Sequence, residues 1–188
     1  MDHTLILARH GITAWNAEHR LQGGSDVPLS EEGVRQAREL AGMLAAETLN
    51  RALVSTLGRA RATADAIASV RQGPAFEPDP RLNEASLGEW EGRLESGLGP
   101  DPEHQAWRAD PLRNRPPGGE SALDVARRVA PLLDELARMP EGSRILVVGH
   151  QFTNAVIQCL LSGTPLDQVR SLNAKPAEIR RLALPIHA

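Results

Sequence analysis

Four short, mostly apolar runs punctuate the chain, and each hands over abruptly to polar residues. Leu5-Ile6-Leu7-Ala8, Ala52-Leu53-Val54-Ser55 and Ile145-Leu146-Val147-Val148 are nearly continuous, as parallel strands buried on both faces are. Ile179 to Leu184 instead alternates apolar and basic residues, which suits an edge strand with one wet face. Between these runs the period lengthens to that of a helix. Ser30 is placed to cap a helix whose Val34, Ala37, Leu40, Ala41 and Leu44 share one face. Arg59 to Ala68 is rich in alanine and other good helix formers. Ser121-Ala122-Leu123-Asp124 has the form of a capping box, with Val125, Val129, Leu132, Leu133 and Leu136 as the apolar stripe behind it. Pro140 and Gly142 stop that helix, and a last one over Gln151 to Leu161 is closed by Gly163 and Pro165. Strands alternating with helices predict an α/β fold, a three-layer α/β/α sandwich around a mainly parallel sheet.

One region breaks every period. From Arg93 to Gly119, prolines, glycines and charges predict an irregular insertion with one helix around Glu103 to Trp107. Loops of that length in compact domains usually cover or form binding sites, so residues 93–119 are read as a cap on a single domain spanning 1–188.

Composition narrows the function. The 188 residues are 41% hydrophobic and 24% charged, ordinary for one globular domain. A net charge of −3 calls for neither nucleic acid nor an anionic membrane, so any anion must be held by local residues. Cys159 is the only cysteine; it allows no intramolecular disulfide, and Leu160 and Leu161 beside it mark a small core residue. No signal-like start or membrane-length apolar run is present, so a cytoplasmic protein is expected.

The chemistry collects at strand ends. Arg9 and His10 follow the first run, Arg59 the second, and His150 the third. In open α/β sheets ligands bind beyond the carboxyl ends of the strands, where helix N-termini point unpaired N–H groups; helices starting near Arg59 and Gln151 are expected to add positive potential there. Such a convergence suits an anion with several oxygens, phosphate foremost. A zinc site is the competing reading of two histidines, but neither His10 nor His150 has a closely spaced His or Cys partner, and no metal or other cofactor is expected. His3, His19, His104 and His187 lie in contexts that read as unstructured or terminal.

These residues carry a family resemblance. Arg9-His10-Gly11 with Thr13 and Asn16, then Arg20, Gln22-Gly23, Asp26, Pro28-Leu29 and Gly33, resembles the signature of the histidine phosphatase (phosphoglycerate-mutase-like) superfamily. Ser55 with Arg59-Ala60 and Thr63-Ala64, Leu82-Asn83-Glu84, Gly88 with Trp90-Glu91-Gly92, Pro117 to Ser121 and Val148-Gly149-His150 are similar to its later blocks, in the same order. The blocks around Trp90 and Pro117 most resemble the small phosphatase branch of broad-specificity phosphatases and α-ribazole phosphatase.

The resemblance implies roles. His10 is the nucleophile that becomes phosphohistidine; Arg9, Arg59 and His150 surround the transferred group; Glu84 is the acid that protonates the leaving oxygen and then activates water. Asn16, Gln22, Gly23 and Gln151 are the substrate-binding residues. Mutases of the family typically carry an arginine and a tyrosine after the acid, where this chain has Ala85 and Leu87, so hydrolysis of a small phosphorylated metabolite is expected. Phosphoglycerate mutase, phosphoprotein phosphatase and a non-catalytic phosphate-binding protein are the alternatives, and a homodimer stays open. Trp15, Trp90 and Trp107 are candidates for an apolar wall, and Glu120 for fixing a helix start. Gly11 is expected to let the backbone turn close to the phosphate.

Overall fold

The computed structural model describes residues 2–186. In chain order its elements are β1 (His3–Arg9), α1 (Ala14–Ala17), α2 (Glu31–Leu44), β2 (Arg51–Val54), α3 (Gly58–Ala68), β3 (Phe76–Pro78), α4 (Pro102–Ala109), α5 (Ala122–Leu136), β4 (Arg144–Gly149), α6 (Gln151–Ser162) and β5 (Ile179–Leu184), with short 3-10 turns between. The strands form one sheet in the order β3-β2-β4-β1-β5. The pairs β1–β4, β4–β2 and β2–β3 are parallel, and β5 runs antiparallel along β1 as the predicted edge.

Alternate residues of the apolar runs serve opposite faces, as the strand period demands. Leu5, Leu7, Leu53, Ile145 and Val147 pack with residues of α5 and α6, whereas Ile6, Ala8, Ala52, Val54, Leu146 and Val148 pack with residues of α2 and α3. That is the expected sandwich. Because α2 follows β1 on one face and α6 follows β4 on the other, the neighbouring strands β1 and β4 flank the point where the connections diverge, the place where such sheets bind ligands.

The third strand of the series, β3, was not expected. It has three residues, one of them Pro78, and a proline at a sheet edge removes a donor no neighbour needs. In α2, Ser30 Oγ accepts from the Gly33 N–H at 3.1 Å, as predicted, but the buried stripe holds Gly33 in place of Val34, which is 39% exposed. The reason is a close backbone approach. A Cβ on Gly33 would lie 2.0 Å from the Ile12 carbonyl oxygen, and one on Gly11 would lie 2.3 Å from the Gly33 oxygen. Gly11 therefore serves the packing of α2 against the segment after β1, which corrects its reading as a turn made for phosphate.

The capping box of α5 forms, with Ser121 Oγ accepting from Asp124 N–H and the Asp124 carboxylate accepting from Ser121 N–H at 3.0 Å. Gly163 closes α6 with φ +72°, a left-handed value that suits glycine. The irregular segment contains α4, and its Leu98 and Trp107 form a small core with Trp90, beside Leu21 and Leu87. His104 is buried in that core and His3 at the start of β1, against the expectation of unstructured contexts; His187 lies outside the described residues. Among the described residues no helix is long and apolar enough to cross a membrane.

The glycine contacts predict opposite effects for one substitution at two positions of α2. Gly33→Ala drives a methyl group into backbone and should destabilise by about 1–3 kcal/mol or more. At Gly42 a Cβ meets nothing within 4 Å, so Gly42→Ala should stabilise by about 0.5–1 kcal/mol. Urea denaturation of both variants measures the two signs.

Candidate active site

Register places the two histidines. Arg9 pairs with Gly149 in the parallel β1–β4 ladder, so the next residues, His10 and His150, leave the sheet side by side with ring centroids 5.0 Å apart. His10 is 3% exposed, and its Nδ1 lies 2.6 Å from the Gly11 carbonyl oxygen. A carbonyl only accepts, so Nδ1 carries the proton and Nε2 keeps its lone pair, which accepts a 3.2 Å hydrogen bond from Arg59 Nε–H. Burial first, then Arg59 and Arg9, hold the His10 pKa well below the ordinary imidazole value. An unprotonated, oriented imidazole results.

The arginines are held by neutral groups. Arg59 is fully buried and donates from Nη1 to Ser25 O (2.6 Å) and from Nη2 to Gly23 O (2.7 Å). Arg9 donates from Nη1 to Ala174 O at 2.6 Å. Desolvation lowers the Arg9 pKa to about 10, partly offset by Glu84, and desolvation also lowers that of Arg59; an Arg9 guanidinium at about 10 stays charged at neutral pH. Neither has a carboxylate within ion-pair distance among the described residues. Two positive charges thus face the cavity without a counter-ion.

Glu84 is the nearest negative charge to them, yet it is tied down. Its Oε1 accepts from the N–H groups of Ala85 and Thr153 (both 3.0 Å) and from Thr153 Oγ1 (3.2 Å), and Oε2 accepts from Phe152 N–H (3.1 Å). The carboxylate therefore occupies the N-terminus of α6. At the N-terminus of α3, Asp26 Oδ1 accepts from Gly58 N–H at 2.7 Å. Both helix starts expected to supply positive potential are already bound to carboxylates, which is a correction: the arginines supply that charge.

A cavity of about 470 Å³ opens over this cluster, and His10, Arg9, Arg59, Glu84, Asn16, Gln22, Gly23 and Gln151 all line it. The Thr13 hydroxyl donates to Gln22 Oε1 (2.5 Å) and the Thr13 N–H to Asn16 Oδ1 (3.1 Å). With their oxygens committed, both side chains offer amide N–H donors. Gly23 has φ +52°, and a Cβ there would lie 2.8 Å from the Leu87 nitrogen, so only glycine fits. His150 departs from the expected ring of groups: it is fully buried behind the cavity wall. Its Nε2 lies 2.7 Å from Ser55 Oγ, whose hydroxyl in turn lies 2.8 Å from Asn83 Oδ1. That chain makes Nε2 the protonated nitrogen and leaves Nδ1 buried without a partner. Burial first, then His10 and the arginines, depress its pKa well below the usual value.

The sequence reading missed Arg128 and the bracing roles of Glu120 and Glu91. Arg128 donates to Arg81 O (2.6 Å), Asn83 O (2.8 Å) and the Glu120 carboxylate, clamping the loop that carries Glu84. Glu120 accepts from Ser86 N–H as well, so it braces this loop while Asp124 fixes the start of α5. Glu91 joins the Gly24 and Leu87 N–H groups. Of the three tryptophans only Trp107 lines the cavity; Trp90 is in the core of the cap. Among the described residues no group of three or more His, Cys, Asp or Glu could hold a metal ion.

Fold and site together define an α/β protein that presents an oriented neutral histidine and two uncompensated arginines at a sheet switch point. The chain belongs to the histidine phosphatase superfamily, branch 1, whose family model matches residues 5–185. It is 36% identical over 182 residues to the Yersinia pestis protein named "Probable phosphoglycerate mutase GpmB", covering 95% of this chain and 83% of that one. Among solved structures, a mycobacterial glucosyl-3-phosphoglycerate phosphatase complexed with VO3 superposes with a TM-score of 0.87 at 33% identity, over 96% of this chain and 92% of that one. The α-ribazole phosphatase of Shigella flexneri gives 0.85 at 26% identity, over 98% of each. Family and neighbours make this a phosphoryl-transfer enzyme.

The buried histidines set a pH dependence of stability. Their folded pKa values lie below the unfolded value near 6.5, so stability is complete above that pH and is lost as pH falls through it. Each should contribute a slope of about 1.4 kcal/mol per pH unit below ~6.5. Denaturant titrations at pH 7.5, 6.5 and 5.5 check this, and a His10→Gln/His150→Gln variant should show a flatter dependence.

Proposed function

We propose that the protein is a metal-independent phosphatase that hydrolyses a small phosphomonoester through a phosphohistidine on His10. The observation that carries this reading is the His10 geometry: Nδ1–H fixed on Gly11 O, and a lone pair on Nε2 beside Arg59 and Arg9. In the first step Arg59 Nε–H passes from Nε2 to a phosphoryl oxygen, the freed Nε2 lone pair attacks phosphorus, the N–P bond forms and the ester P–O bond breaks. Arg9 and Arg59 stabilise the charge on the non-bridging oxygens, with amide N–H groups of Asn16 and Gln22 adding neutral donors. A proton brought in with the substrate monoanion passes to Glu84 and from there to the leaving oxygen. Oε2, which takes one hydrogen bond against three at Oε1, is the oxygen with capacity for that proton. In the second step Glu84 removes a proton from water, which attacks phosphorus and releases His10. The same neighbour family includes structures holding VO3 and inorganic phosphate, ligands that fit the proposed pocket.

Phosphoglycerate mutase is the second reading, favoured by the Yersinia pestis relative. Against it, Ala85 and Leu87 line the cavity where a mutase of this family would place an arginine and a tyrosine. A small apolar lining gives no grip on an intermediate that must be retained and reoriented. A mutase must keep its substrate through both transfers, whereas a phosphatase must admit water.

A panel of phosphomonoesters assayed with and without EDTA tests the proposal. His10→Ala should abolish turnover, and an alkaline quench of the wild type with labelled substrate should trap phosphohistidine. Glu84→Gln should cost on the order of 100- to 10,000-fold on alkyl phosphates, whose leaving oxygens need a proton. Activity lost to EDTA, turnover surviving in His10→Ala, or efficient mutase activity on 3-phosphoglycerate would each overturn it.

A further inference from the structure

Four arginines line the cavity, and they differ in what holds them. Arg20 is paired with Glu18 and donates to Gly92 O. Arg9 and Arg59 donate to backbone carbonyls and Arg59 also to His10, which leaves Arg9 Nε as the one buried nitrogen of the two without an acceptor. Arg170 is different. Its Nε and Nη2 are buried and find no acceptor, and its guanidinium stands 4.1 Å from the centre of the Trp107 ring. Burial lowers its pKa and Arg108 lowers it further; the one opposing carboxylate, Glu95, is itself bound to Arg108 at 2.7 Å.

Leaving two buried guanidinium N–H groups without acceptors is costly. Arg128 in this same chain spends its donors on two carbonyls and a carboxylate. Arg170 lies against the Trp107 ring, which leaves its buried donors for something else. Its mounting points to what that is. It lies in the turn Leu166–Leu172, and the chain just beyond supplies Asn173 to the cavity lining and the Ala174 oxygen to Arg9. One short segment therefore ties Arg170 to the phosphate cage, while Trp107 ties it to the cap. A cavity of about 470 Å³ has room for a small molecule that spans both.

We propose that Arg170 is a second anion-binding site, which selects phosphomonoesters carrying another anionic group, a carboxylate or a further phosphate, on the carbon skeleton away from the transferred phosphoryl group. This rests on the phosphomonoester reading above. The guanidinium fork suits either anion, because both present two oxygens to parallel N–H donors.

Titration calorimetry in a His10→Gln background separates binding from turnover. The ligands are glycerol 3-phosphate, 3-phosphoglycerate with a carboxylate in place of the hydroxymethyl group, and glycerol 1,3-bisphosphate with a second phosphate. At least one of the latter two should bind about tenfold or more tighter than glycerol 3-phosphate, and the tighter one identifies the anion. Adding Arg170→Gln should bring that ratio to about one, with Arg170→Lys between the two. General damage to the pocket would weaken all ligands and leave the ratio intact. Equal affinities in His10→Gln, or a preference that survives Arg170→Gln, overturn the proposal. Hydrolysis of glycerol 3-phosphate by the wild type reads the phosphatase assignment separately: binding preference without turnover sinks that assignment alone, turnover without preference sinks the Arg170 site alone, and no binding of any ligand sinks both.

Discussion

The site depends on the register of β1 against β4. Because Arg9 lies opposite Gly149, the chain leaves both strands at one level and His10 and His150 emerge together. Hydrophobicity alone fixes this register weakly: both strands are apolar on both faces, so a one-residue slip exchanges one apolar set for another. Polar bonds at the strand ends do the pinning. His10 N–H donates to Gly149 O (3.1 Å), and Asn154 Nδ2 reaches back from α6 to Ala8 O (3.2 Å). Gly149 is part of the same device, since a Cβ there would lie 2.6 Å from Asn154 Oδ1. The residues that set the catalytic geometry are thus also those that make the sheet choose one alignment.

Charge around that frame is distributed unequally. The helix N-termini nearest the site are neutralised by Glu84 and Asp26, while the terminal nitrogens of Arg9 and Arg59 donate to carbonyl oxygens. Carbonyl dipoles satisfy the N–H groups without cancelling the charge, so the positive potential stays available to an anion. Burial, aided by the same potential, keeps both histidines neutral, so the charge that would draw an anion into the cavity also helps to hold His10 unprotonated beside it.

Residues whose role is written in their own local pattern were legible in the sequence. The continuous apolar runs, the caps at Ser30 and Ser121, Gly163 at the end of α6, and the strand-end positions of His10, Arg59 and His150 all belong to that kind. What escaped depends on a partner distant in sequence. Gly11 and Gly33 look like ordinary loop and helix glycines until α2 folds back and their backbones meet. Glu84 and Asp26 cap helices that begin 67 and 32 residues later, at Gln151 and Gly58, so no local signal shows that those helix starts are taken. β3 carries only Phe76 as an apolar marker, and Arg170, in a mostly polar turn, looks like a solvated residue until Trp107 is placed against it.

The cavity is built in two halves with different mechanical backing. The phosphate half rests on strand ends and inherits the stiffness of the sheet. The other half is lined by Ala85, Leu87, Trp107 and Arg170, from the loop after Glu84, the cap and the C-terminal turn. Ala85 is 3% exposed and packs with the core beneath α5 and α6, while Leu87 packs on Trp90 and Trp107 in the core of the cap. An arginine at 85 would have to displace core side chains before it reached the cavity, and a tyrosine at 87 would have to repack the cap. Either change therefore carries a packing cost, because both positions are part of how the loop after Glu84 and its neighbours fold.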